Sequence, residues 1–249
     1  MNQYEKILKA QLGKKLHYYK QIDSTNTVAK KIEMWQHGDL IVAEAQTAGR
    51  GTYGRTFHSK AGQGIYMSII IDLTQWAFKD DHLATHYTAV VTLEAIKEIT
   101  GINCSLKWVN DLFVDGKKIG GILTEKIFQS NKLIIGIGLN LSGKQADFPD
   151  EIKATAASLE LEAPIDEQAA ALVIRIFEKM LNPAKLVDAK MLLKHYKEKL
   201  FILGQTVEIV QGDDIFSASI IDVDVSGGLL VKRGNETLVL QMGEVKLSL

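Results

Sequence analysis

Two arginines and three glycines share nine residues at Gly49-Arg50-Gly51-Thr52-Tyr53-Gly54-Arg55-Thr56-Phe57. Backbone N–H groups laid bare by glycine, together with guanidinium forks, suit a small anionic ligand. Alone, the loop fits an ordinary connection equally well, and it lacks the Gly-Lys-Ser/Thr ending of a P-loop. Four other polar groups give it weight. Ser24-Thr25-Asn26 offers hydroxyls and an amide where a helix should start, as a cap or as donors to a neutral ligand. Gln46, a strand-end residue, carries both a donor and an acceptor suited to a cyclic urea or amide. Lys107-Trp108-Val109-Asn110-Asp111 sets an ammonium, an amide and a carboxylate between apolar runs, where an unpaired charge would be costly to bury. A salt bridge in a solvated turn accounts for the same residues. Lys118 opens a strand that continues into Gly120-Gly121, and Gly136-Ile137-Gly138-Leu139-Asn140 repeats the glycine device in the next strand. Glycine weakens a strand interior, so this pattern predicts either close approach by a ligand or a pair of bulges.

The hydrophobic pattern supplies an alternating scaffold for these groups. A helix over 2–12 ends near Gly13, and a strand follows over 16–22. Capping residues at 23–27 precede a helix over 28–35. Strands over 40–45 and 64–73 flank the Gly-Arg loop. Asp80 and Asp81 open a long helix whose face carries Leu83, Tyr87, Val90, Val91, Ala95 and Ile99, and Gly101 stops it. Short strands over 104–109, 111–115, 118–126 and 132–141 come next, with Asp115-Gly116 as a hairpin turn. Asp166 caps a helix with an apolar stripe from Ala169 to Leu181, Pro183 ends it, and Asp188 caps a third helix running to Lys199. Beyond residue 200 the helical period vanishes. Five short strands, over 206–210, 216–223, 228–231, 237–240 and 245–249, predict a small antiparallel barrel. The strand over 133–141 reads as a sheet edge open to another subunit or to a partner protein.

Bulk composition excludes several classes. The chain has 249 residues, 46% hydrophobic and 24% charged, with a net charge of −1. Near-neutrality argues against general nucleic-acid binding, which depends on clustered cations. The single cysteine, Cys104, rules out an internal disulfide, fits a reducing cytoplasm, and reads as a small buried side chain. No run of about 18 apolar residues is present to span a membrane, and residues 1–16 lack the apolar core of a secretion signal. The six histidines are scattered, so no dedicated metal cage is expected.

In combination, Ser24-Thr25-Asn26, the 49–57 loop, Lys107 to Leu112, Lys118 to Glu125, Gly136 to Asn140 and Gly243-Glu244-Val245 resemble the biotin–protein ligases, in that family's order and spacing. The resemblance covers essentially the whole chain. It implies an α+β fold: a class II synthetase-like catalytic domain over 1–199, with a mixed, mostly antiparallel sheet backed by helices, and an SH3-like barrel over 200–249. It also implies a two-step reaction. Biotin is adenylated by ATP with loss of pyrophosphate, then passed to a lysine of a biotin carboxyl carrier domain of a biotin-dependent carboxylase. Lipoate–protein ligases and octanoyl transferases share the architecture, but the 49–57 loop and residues 107–112 favour biotin. A non-catalytic biotin-binding protein is the other reading, and Arg50, Arg55, Lys107 and Lys118 speak against it.

By the same resemblance, Ser24, Thr25, Asn26 and Gln46 hold the ureido ring. Gly49, Arg50, Gly51 and Thr52 close over biotin, with Gly121, Gly136 and Gly138 beside it. Lys118 bridges biotin's carboxylate and the α-phosphate as the main catalytic cation. Arg50, Arg55 and Lys107 face the ATP phosphates, Asn110 and Asn140 contact the nucleotide or its metal, and Phe57 packs near the adenine. Asp111 orients Lys118 or helps deprotonate the carrier lysine. Mg²⁺ is expected with ATP, held by phosphates and water. Thr52 and Tyr53 occupy positions where the family often has arginine, which puts retention of the adenylate in question. Phe57 replaces a frequent tryptophan and Val109 a frequent proline, both with apolar bulk retained. About 20 residues precede Ser24, fewer than a helix-turn-helix of roughly three helices requires. The expectation is a cytoplasmic ligase, with a homodimer as one option, that binds neither DNA nor membrane.

Overall fold

The structure, a computed structural model, describes every residue except 77, 79, 80, 183–187, 242 and 247–249. In chain order the elements are α1 (Gln3–Leu12), β1 (Leu16–Ile22), α2 (Thr25–Lys31), β2 (Asp39–Gln46), β3 (Gly64–Asp72), α3 (Ala84–Thr100), β4 (Ser105–Lys107), β5 (Asp111–Val114), β6 (Lys117–Lys126), β7 (Lys132–Asn140), α4 (Asp150–Lys153), α5 (Asp166–Leu181) and α6 (Ala189–Lys199). Then come β8 (Thr206–Gln211), β9 (Asp214–Val223), β10 (Leu229–Arg233), β11 (Glu236–Leu240) and β12 (Glu244–Lys246). The first seven strands form one sheet in the order β1-β2-β3-β7-β6-β5-β4, and the last five form a second in the order β11-β10-β9-β8-β12. Only β1 and β2 run parallel, so the sheet is mixed and mostly antiparallel as expected.

Alternation along the central strands separates packing from chemistry. On β3, Ile65, Met67, Ile69 and Ile71 join the main core, which α3 and α5 cover with Tyr87, Val90, Val91, Leu172, Val173 and Ile176. Leu133, Ile135, Ile137 and Leu139 of β7 do the same. Successive strand residues point to opposite faces, so Tyr66, Ser68, Gly136 and Gly138 share the other face, with Ser68 opposite Gly136 and Tyr66 opposite Gly138. On β6, Gly121 lies opposite Gly138 and Leu123 opposite Gly136. Three neighbouring glycines thus leave that face without side chains of its own, and the strip forms part of a cavity wall.

Several expectations need correction. The helix expected over 28–35 is α2, three residues earlier, and Ile32 is already extended at φ −70° and ψ 111°. Lys132 of β7 explains the early stop, because its ammonium takes the carbonyls of Ile32 at 2.8 Å and Lys30 at 3.4 Å. The strand expected over 104–109 shrinks to β4. Asp166 lies in the first turn of α5 and Ile165 holds the cap position. A 3₁₀ turn, Asp81–Leu83, leads into α3. Asp80, Pro183 and the end of the last expected strand lie outside the described residues. The strand at 133–141 is not an edge: β7 pairs with β3 on one side and β6 on the other. Its unbroken apolar run reflects cover on both faces. Cys104 is half-buried, and burial pushes its thiol up to about 11. Asp115 and Gly116 do form the hairpin turn, with φ of 46° and 75°.

The second sheet docks through the turn between β9 and β10. Asp224 Oδ1 accepts from the N–H groups of Ser226 and Gly228 at 2.9 and 2.8 Å. That holds Gly227 with its carbonyl 3.0 Å from both Trp108 Nε1 and His86 Nε2. His86 is buried, and burial pushes its pKa down to about 4. The unfolded chain therefore takes up a proton near pH 6.5 that the folded chain refuses. Stability should fall as pH drops from about 6.5 to about 4, by up to about 3 kcal/mol. His37, whose pKa burial also lowers, acts in the same direction. Carboxylates with depressed values, such as Asp111 and Glu125, keep their contribution until the pH nears the ordinary carboxylate range and lose it as the pH falls further. His86→Gln keeps a donor for Gly227 and should flatten the slope. Thermal melts at about pH 7, 5.5 and 4.5 test this, and an unchanged slope would clear His86 of the effect.

Candidate active site

The start of α2 builds a neutral pocket end. Thr25 N–H donates to Gln46 Oε1 at 2.8 Å, and the Thr25 hydroxyl lies 3.2 Å from the same oxygen. Gln46 Nε2 donates to Ser59 Oγ at 2.8 Å. Ser68 Oγ sits 2.7 Å from Thr25 Oγ1 and donates to Asn26 Oδ1 at 2.6 Å. Asn26 Nδ2 donates to Glu125 Oε2 at 2.9 Å and to Leu123 O at 3.2 Å. Thr25, Asn26 and Ser68 are buried, so these mutual bonds fix their rotamers and prevent costly orphaned groups; Ser24, also buried, holds the cap position of α2 without a side-chain bond to the helix. Glu125 also pairs with Lys30 at 2.7 Å and Arg50 at 3.2 Å. Burial opposes its charge, but hydrogen bonds from Lys30 and Asn26 outweigh that and hold its carboxyl below the ordinary range.

The other end is cationic. β4 and β5 pair with Lys107 opposite Asp111. Asp111 Oδ1 lies 2.5 Å from Lys118 Nζ, and its Oδ2 3.2 Å from Lys107 Nζ. Burial raises the Asp111 pKa, yet the two ammoniums more than offset it and keep the group ionised. Gly121 leaves room here: a Cβ would sit 3.6 Å from Lys118 Nζ. Asn110 Nδ2 donates to Ile122 O at 2.8 Å and Asn140 Nδ2 to Ala157 O at 2.9 Å.

The 49–57 loop bridges the two ends. Gly51 N–H donates to Arg55 O at 2.7 Å and Phe57 N–H to Gly49 O at 2.9 Å, so the loop is folded on itself. Tyr53 and Gly54 take positive φ of 55° and 72°. The loop is also clasped to the second sheet. Tyr53 Oη accepts from Gly243 N–H at 2.9 Å and donates to Gly243 O at 3.2 Å, while Arg55 pairs with Glu244 of β12. Arg50, Arg55, Lys107 and Lys118, the four cations expected to meet anionic substrate, each rest on a carboxylate.

All but one of the expected site residues line one cavity of about 570 Å³. The exception is Gly49, which is packed away from it: a Cβ there would meet Phe57 O at 2.4 Å. Its glycine serves loop closure. Two strand glycines admit protein rather than bare ligand space. A Cβ at Gly136 would lie 2.2 Å from Asn26 Oδ1, and one at Gly138 2.6 Å from the Phe57 ring. Phe57 lies over Gly138 and meets Tyr66 edge-on at 6.4 Å. Ser59 and Ser68 were not expected at the site, and Glu244 was matched only as part of the second sheet. Ser68 had a visible signal, as a hydroxyl in the otherwise apolar run of β3, whereas nothing around Glu244 pointed to Arg55.

The cavity thus has a neutral hydrogen-bonding end and a cationic end, on a mixed, mostly antiparallel sheet beside a small second sheet. The profile of the biotin/lipoate A/B protein ligase family matches residues 18–142, and the chain belongs to that family. Among relatives, the bifunctional ligase/repressor BirA of Bacillus subtilis is 39% identical over 157 residues, 61% of this chain and 48% of its own. The biotin–[acetyl-CoA-carboxylase] ligase of Mycobacterium tuberculosis is 28% identical over 84% of this chain and 78% of its own. The chain thus spans about half the length of the Bacillus relative. Among solved structures, the biotin protein ligase of Aquifex aeolicus in complex with biotin and ATP superposes with a TM-score of 0.78. It is 28% identical and covers 94% of this chain and 98% of its own.

Proposed function

We propose that this chain adenylates biotin with ATP and transfers it to a lysine of a biotin carboxyl carrier domain. The observation that carries the reading is the two-ended cavity. Biotin pairs a neutral ureido ring with a carboxylate tail, and the hydroxyl–amide network and the Lys107–Asp111–Lys118 cluster provide for one each. In the first step a carboxylate oxygen attacks the α-phosphorus while the bond to pyrophosphate breaks. In the second, the carrier lysine attacks the acyl carbon and AMP leaves. Two anions must meet in the first step, and preorganised cations lower that repulsion. Lys118 is the bridging cation, with Lys107 and Arg55 on the phosphates. The lowered pKa of Asp111 suits it to orienting the ammoniums; a general base works best with a pKa near ambient pH. Mg²⁺ accompanies ATP, held by phosphates and water; among the described residues no three His, Cys, Asp or Glu side chains cluster to hold one.

Residues 1–199 act as the catalytic unit, with 200–249 closing its mouth. The near-neutral charge supports a role without DNA. Among the described residues no helix is long and apolar enough to cross a membrane. The single cysteine fits the reducing cytoplasm proposed for the enzyme. A homodimer formed through an edge of the seven-stranded sheet would use β1, since the other edge strand, β4, already meets Leu200 through a bridge at Leu106.

Pyrophosphate release on adding ATP with biotin, lipoate or octanoate, followed by labelling of a carrier domain, tests the assignment. Release with lipoate or octanoate alone would move the chain to the other branch of its family. Biotin binding without release would leave a binding protein. Thr52 lines the cavity where the resemblance puts an arginine. Thr52→Arg should slow escape of the adenylate about tenfold, in line with one added charge-assisted hydrogen bond. Appearance of biotinyl-adenylate in the filtrate measures it, and an unchanged rate would mean that retention rests elsewhere.

A further inference from the structure

Three residues, Trp108, Val109 and Asn110, join β4 to β5 and so set the distance between Lys107 and Asp111. Both strands are short, and β4 is at the sheet edge. A hairpin of this size is marginal by itself, so its shape depends on outside ties. Each turn residue has one, and each tie comes from a different element. Trp108 Nε1 donates to Gly227 O at 3.0 Å, in the turn between β9 and β10. Tyr196 Oη of α6 donates to Val109 O at 3.0 Å. Asn110 pairs with Ile122 of β6, Asn110 Nδ2 donating to Ile122 O at 2.8 Å and Ile122 N–H to Asn110 O at 3.0 Å.

The first two ties are coupled. His86 of α3 lies between them, its Nε2 3.0 Å from Gly227 O and its ring 4.6 Å from that of Tyr196. Gly227 has φ of +87°, and a Cβ there would lie 2.4 Å from His86 Cε1. Any side chain at 227 must therefore move its own turn or push the imidazole onto Tyr196. Either motion reaches the 108–110 turn, through Trp108 or through Val109.

We propose that Gly227, His86 and Tyr196 are positioning residues for the ATP end of the site, so that the second sheet sets the Lys107–Asp111 geometry from outside the cavity. None of the three lines that cavity. The proposal deepens the ligase reading and rests on it for the expected effect on turnover. Gly227→Ala should displace the turn, spread Lys107 from Asp111 and lower pyrophosphate release about tenfold, since misplacement by about 1 Å can cost up to 10²-fold. Biotin affinity should stay within about twofold of the parent, because Thr25, Asn26 and Gln46 are held by α2, β2 and β3.

The experiment compares the parent chain, Gly227→Ala, Gly227→Ala with His86→Ala, and Tyr196→Phe. Each is measured for melting, biotin affinity, pyrophosphate release and the NMR titration of the Asp111 carboxyl. The expected result is a raised Asp111 pKa and slowed release in Gly227→Ala, with both partly restored once His86→Ala removes the clash. Tyr196→Phe, which deletes only the bond to Val109, should shift both readouts less and in the same direction, and it carries the test if Gly227→Ala does not fold. Asp111 titrating as in the parent in folded variants would overturn the proposal, as would biotin affinity falling in step with release. A parent chain that releases no pyrophosphate would overturn the ligase reading instead, while the Asp111 titration, which needs no substrate, still decides the positioning.

Discussion

Lys118→Ala should lower biotin-dependent pyrophosphate release by about 100-fold or more, equivalent to roughly 3 kcal/mol of transition-state stabilisation. Two features put the effect on chemistry rather than on folding. The Lys118 side chain is 36% exposed and contributes its ammonium, 2.5 Å from Asp111, at the cavity wall. Once it is gone, Asp111 keeps Lys107 as a partner at 3.2 Å, so no buried charge is orphaned. The variant should melt close to the parent and retain biotin's ureido contacts while failing at adenylation. Release at the parental rate in a folded variant would remove Lys118 from its assigned role. Asp111→Ala is the informative contrast, because it leaves two ammoniums without their shared carboxylate and should cost stability as well as rate.

Gly136→Ala should weaken biotin binding by about 10- to 100-fold, the range that overpacking by one methyl, roughly 1–3 kcal/mol, provides. The added Cβ would fall 2.2 Å from Asn26 Oδ1, inside the bonded pair that Asn26 makes with Ser68. Asn26 cannot yield cheaply, since its amide is also engaged by Glu125 and Leu123. Calorimetric titration with biotin alone measures the effect, with Gly121→Ala as the comparison. At Gly121 a methyl meets only ordinary contacts, beside Lys118 at the opposite end of the cavity. That substitution should spare biotin's ring and act on the ATP half-reaction. Parental affinity in Gly136→Ala would mean that the Asn26 network does not recognise biotin.

Local pattern carried much of the architecture. Apolar periodicity located α3, α5 and the central strands, and the polar interruptions at 24–26, 46, 50–57, 107–108, 110–111 and 118 fall around one cavity. Relations between distant segments were not legible. α2 ends early because an ammonium from β7, about 100 residues away, takes its last carbonyls. Arg50 meets Glu125, and Arg55 meets Glu244 across 189 positions, so nothing near the arginines announces their partners. The glycines at 136 and 138 predict close approach by a ligand or a pair of bulges; Asn26 and Phe57 are the groups that approach them, beside the cavity. The apolar run of β7 has one appearance in sequence whether a strand is at an edge or buried on both faces, and here it is central.

The clasp between Tyr53 and Gly243 joins points 190 positions apart. During synthesis the chain emerges N-terminus first, so the Gly-Arg loop is made long before the residues that fasten it. Until 243 and 244 have left the ribosome, Tyr53 and Arg55 have no partner on the second sheet, and the turn at 227 that steadies Trp108 has itself only just appeared. Contacts of such long sequence separation form late in folding. The nascent chain can therefore bury its helices and central strands early, yet the mouth of the cavity takes shape only when β12 is in place.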